Sequence, residues 1–151
     1  MAKYSALMQR TASASLSVGG VQCPAASMRR IKLYDIMFGS EATPADVGVL
    51  WQLQRSTTTS TSSAVTPQAL DPADAAAVSV AQSNTTIDPT LTAGALPLSV
   101  PLNQRASFRW VAAPGSELVI PATASNGIYT RTPTLNGGLP AVTSTQLFEE
   151  Q

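Results

Sequence analysis

The sequence predicts an all-β fold: an antiparallel β-sandwich, jelly-roll or barrel with long proline-rich loops and at most one short helix. Apolar side chains recur at every second position in short runs, and turn dipeptides such as Asn126-Gly127 separate those runs. The amphipathic segments that would serve as crossover helices in a parallel sheet are missing.

Taken in order, residues 1–28 read as a basic N-terminal arm or a first strand, and 29–151 as the sandwich, in a single globular domain overall. The run 30–38 is apolar at alternate positions of both parities: Tyr34, Ile36 and Phe38 on one face, Ile31, Leu33 and Met37 on the other. That predicts a strand covered on both sides. The run 49–55 alternates strictly, with Val49, Trp51 and Leu53 opposite Gln52 and Gln54, and predicts a half-buried strand that runs into the polar stretch 56–63. Prolines 67, 72, 89 and 97 then deny long regular elements. Asp71 as N-cap with Pro72 behind it predicts a short helix over 71–77, followed by a short strand over 77–81. Residues 106–112 predict a strand with Phe108 and Trp110 on one face. The turn Ala113-Pro114-Gly115-Ser116 joins it to 117–120, which predicts an antiparallel hairpin. Strands over 128–132 and 141–148 close the chain. Trp51, Phe108 and Trp110 are the expected core anchors.

Composition narrows the function. The chain has 151 residues, no His, one Cys and nine acidic residues, against 17 Ser, 17 Thr and 23 Ala. Histidine is the side chain that titrates near neutral pH without help, so acid–base and nucleophilic catalysis lack their usual agent, and no enzyme is expected. Cys23 has no partner for an internal disulfide and no His to activate it, which predicts a structural thiol. Gly19-Gly20 and Gly137-Gly138 precede no helix at phosphate-loop spacing and read as turns. Asp71 and Asp74 read as a capped turn rather than a cation site or a catalytic pair. Asn84-Thr85-Thr86 matches a glycosylation acceptor, but no secretory signal supports its use. No catalytic residue, cofactor or metal is expected, and no stretch approaches the ~20 apolar residues of a membrane span.

Charge adds one asymmetry. Lys3, Arg10, Arg29, Arg30 and Lys32 fall within the first 32 residues without a carboxylate among them, whereas 41–88 hold Glu41, Asp46, Asp71, Asp74 and Asp88 against Arg55 alone. The five cations are candidates for a partner interface, with a plain solvated surface as the alternative. Direct nucleic-acid binding is disfavoured, because the cations are spread out and no base-stacking motif accompanies them. Zero formal net charge in a chain only 12% charged predicts surface covered by neighbours, hence a small homo-oligomer.

The segments 100–105 (VPLNQR) and 108–118 (FRWVAAPGSEL), set in this Ala/Ser/Thr-rich, His-free, low-charge β chain, resemble small virion proteins of tailed bacteriophages, in particular capsid decoration (cement) proteins. The resemblance lies in general character over most of the chain and transfers no residue pattern. It implies a non-enzymatic module on the capsid surface, assembled in the host cytoplasm, that bridges subunits of the major capsid protein, commonly as a trimer or dimer. The alternatives are a head–tail connector or tail component, and a carbohydrate-binding β-sandwich module on the virion.

Overall fold

Every regular element is a strand, and the computed structural model describes all 151 residues. One six-stranded sheet holds β1 (Lys3–Thr11), β3 (Ile31–Ala42), β6 (Gln68–Ala69), β9 (Ser107–Val111), β10 (Leu118–Ile120) and β12 (Ala141–Glu150). The other holds β2 (Gly19–Gln22), β4 (Gly48–Ser56), β5 (Thr61–Val65), β7 (Val80–Ile87), β8 (Leu98–Asn103) and β11 (Gly127–Leu135). Every pairing is antiparallel. The first sheet runs β10-β3-β12-β1-β6, with β9 also on β3, and the second runs β5-β7-β2-β11-β4-β8. The orders correspond: β3, β12 and β1 take the same relative places as β4, β11 and β2, so the chain keeps stepping between sheets. Neither sheet closes on itself. The fold is an open antiparallel β-sandwich, and the barrel alternative is not realised.

Period-2 patterning explains the core. Tyr4, Ala6 and Met8 of β1, Val49, Trp51 and Leu53 of β4, and Val142 and Phe148 of β12 point between the sheets, where nineteen buried apolar residues form one cluster. Trp51 is fully buried, while Phe108 and Trp110, on the edge strand β9, pack against this cluster half-buried. Polar bonds also cross between the sheets. Thr130 Oγ1 and Ser144 Oγ lie 2.9 Å apart, both fully buried, and Gln146 Nε2 donates to Thr130 Oγ1 at 3.2 Å. At the β1 edge beyond the two-residue β6, Ser83 Oγ donates to the Gln9 carbonyl (2.9 Å) and accepts from the Gln9 amide (2.8 Å), satisfying backbone groups that no strand covers.

The structure corrects four local expectations. Residues 30–38 are not a strand covered on both sides. A register shift opposite Leu147/Phe148 inserts Tyr34 as an extra residue, so Ile31 and Leu33 before the bulge and Ile36 and Phe38 after it all face the core, while Met37 is exposed. Residues 71–77 form no helix. Asp71 does cap a turn, accepting the Ala73 amide at 2.9 Å. The turn does not propagate, because a short helix nucleates poorly and the following chain is pinned: the Tyr4 hydroxyl donates to Ala75 O, and the Glu150 carboxylate takes the Val78 and Ser79 amides. The strand expected at 77–81 begins at Val80 and continues to Ile87. Finally, 106–112 and 117–120 make no hairpin. Both β9 and β10 pair with β3 in succession, along Asp35–Gly39 and then Ile31–Leu33, as one edge strand interrupted by an exposed excursion around Pro114-Gly115.

Residues 1–28 supply strands to both sheets, β1 between β12 and β6 and β2 between β7 and β11. Gly20 in β2 is a packing requirement. A Cβ there would stand 2.5 Å from the Ile128 carbonyl oxygen and 2.7 Å from Tyr129 Cγ. The Tyr129 ring fills that space on the outer side of the second sheet, fully buried, with its hydroxyl 2.8 Å from Gln22 Oε1 and 2.6 Å from Gln82 Oε1. The loop between β4 and β5 closes over it, with Ser60 donating to Gln82 Oε1 at 2.7 Å and Thr59 accepting from Gln22 at 2.9 Å.

Candidate interaction surface

The second sheet's outer side is covered in part by that loop, whereas the first sheet presents a broad outer face. Strand register arranges its outward side chains in rows across β9 or β10, β3, β12 and β1. At one end lies Val119–Lys32–Glu149–Lys3; next come Val111–Asp35–Leu147–Ser5 and Arg109–Met37–Thr145–Leu7; at the far end lies Ser107–Gly39–Thr143–Gln9. Leu7, Met37 and Val111 are exposed in the middle of this face.

Four of the five sequence-flagged cations meet at the first end. Lys3 lies 5.3 Å from the Tyr34 ring centroid, Lys32 Nζ is 3.8 Å from Glu149, and Arg30 exchanges backbone hydrogen bonds with Gln151. Arg29 and Arg30 project exposed from the β2–β3 connection with no carboxylate partner, beside the exposed Met28. Nearby carboxylates are occupied: Glu150 by the Val78 and Ser79 amides, and Glu117 by its own backbone amide and that of Gly115, which together with Lys32 hold its carboxyl below the usual range. Burial and the neighbouring Asp35 and Glu149 push the Tyr34 phenol up. Arg10 does not belong to this group. It sits at the other end of β1, where its Nη1 donates to the carbonyls of Ser17 (2.8 Å) and Thr85 (2.7 Å), and burial lowers its pKa against the pull of Asp88. It ties the β1–β2 loop to β7 and serves the fold.

The far end carries an open trough of about 480 Å³. Its floor is the row of small residues Ser107, Gly39 and Thr143, with Met37, Arg109 and Thr145 along one side and Glu41 on the other. Asp35 is buried beneath Arg109, whose Nε and Nη2 bond its carboxylate at 2.5–3.1 Å and whose own pKa that contact raises. Glu41 is held without a cation: Gln9 Nε2 donates to Oε1 at 3.0 Å and Thr143 Oγ1 to Oε2 at 2.9 Å. The trough has no signature in the sequence, because its residues come from three strands and none belongs to a motif. The lone signal was a glycine, Gly39, inside an otherwise strong strand pattern.

Elsewhere, Asp71 and Asp74 sit in the exposed turn, Cys23 is buried, and no three of the Cys, Asp and Glu side chains converge as metal ligands would. Fold and surface together define an open two-sheet β-sandwich with one cationic end and one polar trough on the same face. Compared with known proteins, the chain matches no family model, no curated protein and no solved structure.

Proposed function

We propose that this protein is a non-enzymatic structural component of a virus particle, a decoration protein that binds the capsid surface and bridges subunits of the major capsid protein through the end of the sandwich bearing Lys3, Arg29, Arg30 and Lys32. The observation that supports this reading is the gathering of those cations by the β3–β12–β1 register, with Arg29 and Arg30 exposed and unpaired and Met28 exposed beside them. Unpaired cations around an apolar side chain suit an acidic shell: the charge speeds encounter and the buried apolar area holds the complex. Many copies on a symmetric shell multiply a modest contact of roughly 1,000 Å². The virion assignment rests on the resemblance in sequence character, and the attachment surface on the geometry. With zero net charge, the free protein self-associates into a small homo-oligomer.

Co-sedimentation with shells assembled from the major capsid protein tests this. The wild type pellets with shells and is released as salt rises, while the triple variant Arg29→Gln/Arg30→Gln/Lys32→Gln binds more weakly and with less salt dependence. A wild type that stays in the supernatant overturns the capsid assignment. A triple variant that occupies shells as fully as the wild type at every salt concentration overturns the attachment surface.

A further inference from the structure

We infer that the trough at the far end of the first sheet is a binding site for a neutral glycan chain. It crosses β9, β3 and β12 nearly perpendicular to the strands, over two spacings of ~4.8 Å, so it is on the order of 10 Å long. It exists because Gly39 has no side chain where Ser107 and Thr143 are themselves small. A volume of about 480 Å³ lies within the roughly 300–1,000 Å³ typical of small-ligand sites.

The lining selects the ligand chemistry. Both oxygens of Glu41 are oriented by neutral donors, Gln9 and Thr143, and each keeps a lone pair for a further donor. Across the floor, Arg109 is anchored through Nε and Nη2, which leaves Nη1 free to donate. The Ser107 hydroxyl lies on the floor and that of Thr145 on the Arg109 side, and the Met37 side chain supplies apolar contact. An acceptor, a donor and hydroxyls around an apolar contact match the alternating hydroxyls and C–H faces of a sugar.

Other occupants fit less well. The Arg109 charge is already balanced by Asp35, and Glu41 adds a negative one, so phosphate or uronate groups would be repelled. An extended peptide lying along the trough would run across the strands rather than beside one, so it could add no backbone ladder there. The ligand must bring its own hydrogen-bonding groups and carry no charge.

The trough lies at the end of the face away from Lys3 and Lys32, so this site is separable from the attachment surface proposed above. The test is to follow amide chemical shifts of the intact protein during titration with maltohexaose, mannohexaose and xylohexaose, with an oligogalacturonate of the same length as the anionic probe. At least one neutral hexasaccharide moves the amides of Gly39, Ser107, Thr143 and Thr145 and leaves those of Arg30 and Lys32 in place. Glu41→Gln and Thr143→Val each weaken that binding about tenfold, with the rest of the spectrum unchanged as proof of folding. The inference is overturned if none of the three neutral chains moves these amides, if the oligogalacturonate binds as well as the neutral chain, or if both variants bind like the wild type. It is also overturned if the variants lose capsid co-sedimentation but not sugar binding, which would make the trough a protein contact.

Discussion

The rings of Phe38 and Trp51 stack across the sandwich, with centroids 4.6 Å apart and planes 20° from parallel, joining β3 of one sheet to β4 of the other. Phe108 extends the stack from the edge, 5.4 Å from Phe38. Trp51 is fully buried at this junction, so Trp51→Ala removes a contact that both sheets share. It is expected to cost about 3–5 kcal/mol. Trp110 lies on the edge strand and is half-buried, so Trp110→Ala is expected to cost clearly less. Denaturant midpoints of the two variants check the order, and equal losses would contradict the placement of β9 at the rim.

Tyr129 and Gly20 form a second coupled pair. Tyr129→Phe keeps the ring over Gly20 but leaves Gln22 Oε1 without a donor, while Gln82 Oε1 keeps the Ser60 hydroxyl, at an expected cost of about 1–3 kcal/mol. Burial, reinforced by Asp88, raises the Tyr129 phenol above its ordinary 10.0. Above the unfolded value the unfolded chain loses this proton before the folded one does, so the contribution is complete below pH 10.0 and declines as pH rises through the folded pKa. Alkaline titration of stability should therefore fall off less steeply for Tyr129→Phe than for the wild type. Gly20→Ala should destabilise more than Gly48→Ala, where nothing lies within 4 Å of the new Cβ.

Arg10 and the exposed arginines should behave oppositely. Arg10→Gln releases the Ser17 and Thr85 carbonyls and is expected to cost about 1–3 kcal/mol. Arg29→Gln and Arg30→Gln touch no side-chain partner and should each change stability by less than about 0.5 kcal/mol. Thermal unfolding of the three variants separates a cation that serves the fold from cations the fold does not use.

The Thr130–Ser144 bond between the sheets suits a double-mutant cycle. Thr130→Val leaves both the Ser144 hydroxyl and Gln146 Nε2 without a partner, whereas Ser144→Ala leaves the Thr130 hydroxyl with Gln146 alone, each at about 1–3 kcal/mol. The double variant should cost less than the sum of the two, with a coupling of about 0.5–3 kcal/mol. Additive losses would show that the hydroxyls do not depend on each other.

Much of the architecture was legible in the chain. Strict alternation marked Val49, Trp51 and Leu53, turn residues marked the breaks before Ile128 and Ala141, and the missing amphipathic segments excluded a parallel sheet. The alternation of Tyr4, Ala6 and Met8 against Ser5 and Gln9 was also present, but it was weakened by a small Ala inside and a Leu outside. The short strands β2 and β5 carried too little apolar signal to be seen, because backbone pairing to a neighbour, not their own side chains, holds them extended. The helix at 71–77 failed for a related reason. Asp71 provided a cap, yet seven residues cannot nucleate against the contacts that pin Ala75, Val78 and Ser79.

The sequence by itself determined that this chain forms strands, that Trp51 anchors a core, and that its cations concentrate in the first 32 residues. Those properties depend on side-chain type and on spacing along one segment. Tertiary structure decided the rest. The bulge at Tyr34 turned Ile36 and Phe38 inward, and strand register carried Lys3 and Lys32 to one end of a sheet while Arg10 was drawn into the fold. Ser107, Gly39 and Thr143 became one row although the chain separates them by dozens of residues. The physical reason is that a sheet face is assembled by pairing between distant strands, and a one-residue shift in that pairing sends every side chain to the opposite face.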